Sequence, residues 1–194
     1  MFRYFIVHKP VGYLSQFSGE PKDLTLMQLV EQNQLKDFPS DIYPVGRLDK
    51  DSEGLLLLTN DNKLKNSLLD PKNEHFKTYW VQVEGAITTT DIQRLIVGGI
   101  EIKHNGKVHR CLPAKAKLLT EVQIEERNPP IRYRANIPTS WIEIQLREGK
   151  NRQIRKMTAA IGFPTLRLIR VGILNLSINN VSVGTIREIS RKEI

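Results

Sequence analysis

The sequence predicts an α+β fold. Short runs rich in β-branched, aromatic and leucine residues recur along all 194 positions. About four segments instead space their apolar residues three to four apart and begin with capping signals. The two kinds do not alternate strictly as strand–helix–strand units, which argues against a purely parallel sheet. No Pro-, Gly- or Ser-rich linker interrupts the chain, so a single domain over residues 1–194, built as two sub-lobes, is expected.

Residues 2–7 are β-branched and aromatic and read as a strand, which His8-Lys9-Pro10-Val11-Gly12 is expected to break into a turn. His8 reads as a solvated or hydrogen-bonded turn histidine, because no other ligand type stands at metal-binding spacing from it. Asp23 or Thr25 can cap a helix that turns Leu26, Leu29 and Val30 inward. Leu55 to Leu58 form an apolar run bounded by turn residues, the pattern of a strand buried on both faces. Residues 62–69 read as a second helix, with Leu64, Leu68 and Leu69 on its apolar side and Asp70-Pro71 ending it.

Residues 77–84 alternate, with Tyr79, Val81 and Val83 on the buried face of a strand. Thr88-Thr89-Thr90-Asp91 starts a third helix with Ile92, Leu95 and Ile96 inward, and Gly98-Gly99 stops it. Residues 100–102, 114–119 and 141–146 read as further strands, and the three prolines of 128–140 mark a loop. Asn151 is the expected cap of a fourth helix over 152–161, with Ile154, Met157 and Ile161 inward and Gly162 and Pro164 at its end. Strands over 165–171 and 181–189 complete the chain.

Composition narrows the class of function. Hydrophobic content of 40% and charged content of 26% are ordinary for a soluble globular protein. The lone Cys111 excludes an intrachain disulfide and fits a reducing compartment. The N-terminal apolar run is short and flanked by Arg3 and His8, unlike a signal peptide, and no segment has the length of a membrane span. A cytoplasmic protein with no membrane partner is expected. The net charge is +8, and residues 127–170 carry ten basic side chains against Glu143 and Glu148, enough to account for the whole excess. A basic excess so clustered is the footprint of a polyanion binder.

The stretch Gly46-Arg47-Leu48-Asp49-Lys50-Asp51-Ser52-Glu53-Gly54, followed by the leucine run, holds a carboxylate on a loop anchored to the core on its C-terminal side. That is a way to fix a group for chemistry. Nucleophile-elbow, phosphate-loop, dinucleotide and zinc-protease motifs are all missing. His109 and Cys111 share a strand face, but nothing in the sequence activates them as a thiol and base, so metal and cofactor chemistry find no support. Asp49, Asp51 and Glu53 stand two apart, an awkward arrangement for flanking a sugar with an acid and a nucleophile. One carboxylate compensated by an arginine is the simpler arrangement. An Arg47–Asp49 pair that only stabilises a turn stays open on pattern alone.

Gly46-Arg47-Leu48-Asp49-x-x-Ser52-x-Gly54 with Leu55 to Asp61 resembles the catalytic motif of RNA pseudouridine synthases of the RsuA branch. Lys77-Thr78-Tyr79, Glu148 to Met157 and Lys9-Pro10-x-Gly12 resemble three more motifs of that family, in order, so the likeness covers nearly the whole chain. Asn128-Pro129-Pro130-Ile131-Arg132, Ile137 to Trp141 and Gly162 to Arg170 are similar to its E-type large-subunit members. The S4-like RNA-binding domain that precedes the catalytic domain in many relatives has no counterpart here, and the match is weaker after Val171.

The resemblance implies a mixed, mainly antiparallel sheet with flanking helices and a central basic cleft. It implies isomerisation of a uridine in large-subunit (23S) ribosomal RNA, free or within an assembling subunit, by a monomer that uses no metal or cofactor. Carried over by position, it makes Asp49 the nucleophile, Tyr79 the aromatic under the target base and Arg155 the ionic partner of Asp49. Whether the carboxylate attacks the sugar or takes a sugar proton is open. The basic residues Arg47, Lys77, Arg132, Arg134, Lys150, Arg152 and Lys156 are the expected RNA contacts, positioning the backbone without reading sequence. Asp51 and Glu53 are left with turn and surface roles. A non-catalytic RNA-binding or ribosome-assembly module, or the same chemistry on another RNA, are the competing readings; a carboxylate beside a phosphate site disfavours a pure binder.

Overall fold

The computed structural model describes residues 1–132 and 134–194 together with the backbone of Pro71; Tyr133, in the loop expected over 128–140, lies outside the described residues. In chain order the elements are β1 (Tyr4–Lys9), α1 (Leu26–Gln32), β2 (Tyr43–Pro44), β3 (Glu53–Thr59), α2 (Asn62–Leu69) and β4 (Lys77–Glu84). There follow α3 (Thr89–Val97), β5 (Glu101–His104), β6 (Lys107–Arg110), β7 (Lys115–Leu119) and β8 (Thr139–Leu146). The chain ends with α4 (Gln153–Ala160), β9 (Thr165–Ile173), β10 (Leu176–Ser177) and β11 (Ile186–Ile189). The fold is α+β, as the sequence predicts. It divides into two compact units, residues 1–75 with 169–194, and residues 76–168.

In the first unit β1 lies antiparallel between β11 and β3, and β2 adds antiparallel to β3. The β3–β9 pairing is parallel, through Glu53↔Ile169 and Gly54↔Arg170, and β10 folds back on β9. All four leucines of β3 are fully buried. Leu56 and Leu58 join Phe5, Val7, Leu26, Leu29 and Ile186 in one core cluster, and Leu55 and Leu57 occupy the opposite face by strand alternation. Each such leucine contributes about 1.5–3 kcal/mol by leaving water, which makes β3 a firm anchor for the residues just before it. Thr25 caps α1 in a capping box with Gln28. Asp61 caps α2 by accepting from the Leu64 N–H.

The second unit has β8 antiparallel between β4 and β7, with β5 and β6 as a separate hairpin. Its core gathers Val81 and Val83 from β4, Ile92 and Leu95 from α3, Ile142 and Ile144 from β8, and Ile154 and Met157 from α4. Thr88 caps α3 in a capping box with Asp91, and Gly98 ends it at φ 78°.

Several local expectations need correction. β1 runs on through His8 and Lys9, because β3 pairs with it along its whole length and covers both residues. His8 is thus a buried strand histidine, its Nδ1 2.8 Å from the Val181 carbonyl oxygen. Leu69 is exposed, so α2 buries only Leu64 and Leu68. The strand expected over 181–189 is confined to β11, since turn bonds organise residues 181–185 instead. The β5–β6 hairpin replaces a lone strand at 100–102; its turn, Asn105-Gly106, takes positive φ at both residues, as an Asn-Gly hairpin turn requires. Asn151 does not cap α4. The N-cap is Arg152 at φ 53°, whose side chain makes no capping bond to the helix, and the Gln153 side chain accepts from the Lys150 N–H at 3.0 Å.

Candidate active site

Asp49 stands in the first unit on the loop between β2 and β3, four residues before the buried strand. Burial alternates across it: Arg47 is exposed, Leu48 buried and Asp49 half-buried. The loop is held from three directions. Ser15, itself buried, clasps Leu48 with one hydroxyl, which accepts from the Leu48 N–H at 3.0 Å and donates to the Leu48 C=O at 2.9 Å. The Gly12 N–H donates to the Lys50 carbonyl at 2.7 Å. Within the loop the Ser52 N–H donates back to the Asp49 carbonyl at 3.0 Å. Asp49 therefore sits on a backbone whose neighbours on both sides are bonded, the arrangement expected of a preorganised group.

Gly54 closes the loop, and glycine is required there. Its φ is 106°, and a Cβ at this position would stand 2.2 Å from the Arg170 carbonyl oxygen. The parallel strands meet at this point, so the backbone of β9 occupies the space a side chain would need.

Lys9 lies under the same turn, fully buried. Its ammonium donates to the carbonyls of Pro10 at 2.8 Å and Tyr13 at 2.7 Å. Burial pushes it down to about 8, against the upward pull of Glu53, Asp51 and Asp49. Lys9 is a positioning residue that sequence reading missed; Lys9-Pro10-x-Gly12 was the available signal, but a buried lysine cannot be told from a surface one by type. Glu53 is corrected in the same way. It is 2% exposed at the start of β3, a buried carboxylate beside a buried ammonium and not a surface residue.

Tyr79 belongs to the second unit, on β4 opposite Ile144 of β8. It is half-buried and packs against the core cluster, unlike the fully buried Val81 and Val83 on the same face. Arg155 is on α4 between inward-facing Ile154 and the edge of the helix, half-buried. The sequence-predicted site residues are thus divided: Arg47 and Asp49 in the first unit, Tyr79, Arg155 and the remaining basic residues in the second.

Those basic residues differ in availability. Arg132 and Arg152 are exposed; Lys77 and Lys150 are half-buried. Arg134 is exposed and paired with Glu84 at 2.9 Å. Arg132 and Arg134 line a groove of about 510 Å³ with Gln82, Glu84, Pro138 and Leu166. The Lys156 ammonium donates to the Lys103 carbonyl at 2.8 Å. Two members of the basic stretch contribute nothing to a surface: Arg167 and Arg170 are 5% and 3% exposed. Arg167 donates to the Glu125 carbonyl, and Arg170 to the Leu55 carbonyl. They serve the fold as backbone clamps, so the clustered charge overstates the basic surface.

The overall fold is that of a pseudouridylate synthase. The chain aligns along its full length with a crystal structure of a pseudouridylate synthase, covering 72% of that chain at 23% identity and a TM-score of 0.76. Residues 3–160 match the family model described as RNA pseudouridylate synthase. Ribosomal large subunit pseudouridine synthase E of Vibrio parahaemolyticus is 44% identical over 187 residues, which is 96% of this chain and 74% of the relative. The protein of that name from Xanthomonas axonopodis pv. citri is 46% identical over 171 residues, 87% of this chain and 84% of the relative. The chain belongs to the RNA pseudouridylate synthase family, an enzyme family, as its motifs imply.

Proposed function

We propose that this enzyme converts a uridine of large-subunit (23S) ribosomal RNA to pseudouridine, with Asp49 as the reacting carboxylate. The support for the substrate is the identity above 40% to relatives named for the large ribosomal subunit. The observation that carries the role of Asp49 is its half-buried position on a loop bonded on both sides and anchored by a strand of buried leucines. The reaction breaks the N-glycosidic bond, turns the uracil and rejoins it to the sugar through carbon; every atom of the uridine is retained.

A stacked uridine offers neither its glycosidic bond nor room to turn, so the nucleotide is flipped out for reaction. Tyr79, half-buried and backed by core, is suited to stack on it, worth about 1–3 kcal/mol. Arg155 is the proposed ionic partner of Asp49. Arg47, Lys77, Arg132, Arg134, Lys150, Arg152 and Lys156 are the proposed phosphate contacts, of which exposed Arg47, Arg132 and Arg152 are the most accessible. A cytoplasmic monomer acting on the RNA or an assembling subunit fits this reading. Among the described residues no helix is long and apolar enough to cross a membrane.

The test is pseudouridine mapping of ribosomal RNA from cells that lack the protein, complemented with wild type or with Asp49→Asn. One large-subunit site is expected to vanish, to return with wild type, and to stay absent with Asp49→Asn although RNA binding persists. The purified variant is expected to lose at least about a thousandfold in turnover, as when a group essential to the chemistry is removed. Restoration of the site by Asp49→Asn would remove Asp49 from the mechanism.

A further inference from the structure

The second unit brings together a buried set of donor atoms that the isomerase reading does not use. The β5–β6 hairpin sets His109 opposite Ile102, and Cys111 follows two residues on, on the same side of the strand. The ladder continues past the last hairpin residue: the Cys111 N–H donates to the Ile100 carbonyl at 2.8 Å, and its carbonyl accepts from the Gly99 N–H at 2.9 Å. Glu148, just beyond β8, reaches the same point. A ring nitrogen of His109, the Cys111 Sγ and a Glu148 carboxylate oxygen all lie within 4.8 Å of one another. Cys111 and Glu148 are buried, while His109 keeps an edge toward solvent.

The Glu148 carboxylate is already oriented. One oxygen, Oε1, accepts from the Leu112 N–H at 2.9 Å and from the Gln153 side-chain amide at 2.5 Å. The other, Oε2, stands 3.0 Å from the His109 Nε2. Two bonds hold one oxygen in place and leave the second facing an imidazole. That division is what a metal-binding carboxylate needs: one oxygen for the ion, the other fixed by surrounding donors.

We propose that His109, Cys111 and Glu148 form a structural zinc site. Thiolate, imidazole and carboxylate are the ligand types zinc takes, at about 2.0–2.3 Å in tetrahedral geometry. On binding, the Cys111 thiol loses its proton to solvent, and the sulfur electron pair forms the bond to zinc. His109 carries its proton on Nδ1 and presents Nε2. His104 is the candidate for the fourth position. Its ring centroid is 6.4 Å from that of His109, and its buried Nδ1 has no hydrogen-bond partner among the described residues. The ion would tie the hairpin to the segment that leads into α4, the helix that carries Arg155.

A bound zinc supplies the positive charge that compensates a buried thiolate beside a buried carboxylate.

The test is metal binding by the purified full chain, independent of RNA. Zinc is expected to bind at one ion per chain and to raise the melting temperature. Cobalt in its place is expected to show the near-ultraviolet thiolate-to-metal charge-transfer band. Cys111→Ala and His109→Ala, checked for folding by circular dichroism, are expected to weaken zinc by more than the ~10–100-fold that a change outside the ligands costs. The cobalt band on the wild-type chain is a measurement that does not depend on any variant folding. A cobalt complex without the charge-transfer band, or a zinc affinity unchanged in Cys111→Ala, would overturn the site.

Discussion

Two segments each carry a residue proposed for the reaction, and they are held in different ways. The Asp49 loop is fixed at several points, by the Ser15 clasp, the Gly12–Lys50 bond, the Lys50–Asp23 ion pair at 2.9 Å and the absence of a side chain at Gly54. The turn that leads to Arg155 is fixed by a charge, the buried carboxylate of Glu148, which ties Leu112, Gln153 and His109 together. Arg155 is cationic, and a carboxylate seven residues upstream does not conflict with it. The difference is one of distribution: the first loop is held by several separate contacts and a missing side chain, the second by a single carboxylate that gathers three partners.

Gly54→Ala should break the first segment most severely. The new Cβ meets the β9 backbone at 2.2 Å, and backbone cannot move aside as a side chain would. A loss of about 4 kcal/mol in denaturant unfolding is expected, at the upper end for point changes. A loss below 1 kcal/mol would mean the strands separate easily there.

Lys9 is the buried charge of the first segment, and pH exposes it. Its folded-state value is lowered from 10.5 to about 8, so between these values the unfolded chain binds more protons than the folded one. Stability therefore rises with pH across that window, and below about 8 the full cost of the buried ammonium is present. Wild type compared with Lys9→Met should gain about 2–3 kcal/mol from pH 8 to 10.5, by urea unfolding at fixed ionic strength. Parallel pH profiles of the two proteins would show that Lys9 is charged in its site without penalty.

Glu148→Ala should sharpen the contrast from the other side. It leaves the Leu112 N–H and the Gln153 amide without their acceptor, at about 2–3 kcal/mol. Glu148→Gln keeps one acceptor oxygen and should cost about half of that. Equal losses in the two variants would show that charge, and not hydrogen-bond geometry, holds this turn.

The smallest effect on stability is expected from Ser15→Ala. One buried N–H, that of Leu48, loses its acceptor, at about 1–2 kcal/mol. Because Leu48 precedes Asp49, turnover should fall with little change in RNA affinity. Weaker binding at unchanged turnover would assign Ser15 to the RNA side.

Local rules were legible in the sequence wherever the stabilising partners lie within a few residues. Thr25 and Thr88 cap their helices with the residues three positions on, α2 spans the expected residues, and β4 is bounded where its alternation begins and ends. The motif around Asp49 was legible for the same reason: a polar turn beside a run of leucines is a contiguous pattern. The hairpin at Asn105-Gly106 carried an equally local signal that was overlooked, and with it the face shared by His109 and its strand partner.

What the sequence determined by itself was the class of elements, the caps of α1 and α3, the carboxylate loop and the family. What only the tertiary structure decided was which charges are inside. Lys9, Glu53, Arg167 and Arg170 have the composition of a surface, yet each is covered by strands or bonded to carbonyls far along the chain. Glu148 meets His109 across 39 positions, a distance no spacing rule spans. The physical reason is that capping and amphipathic periodicity are short-range and repeat with the backbone. The burial of a charge depends instead on distant groups that arrive only when the sheet closes over it.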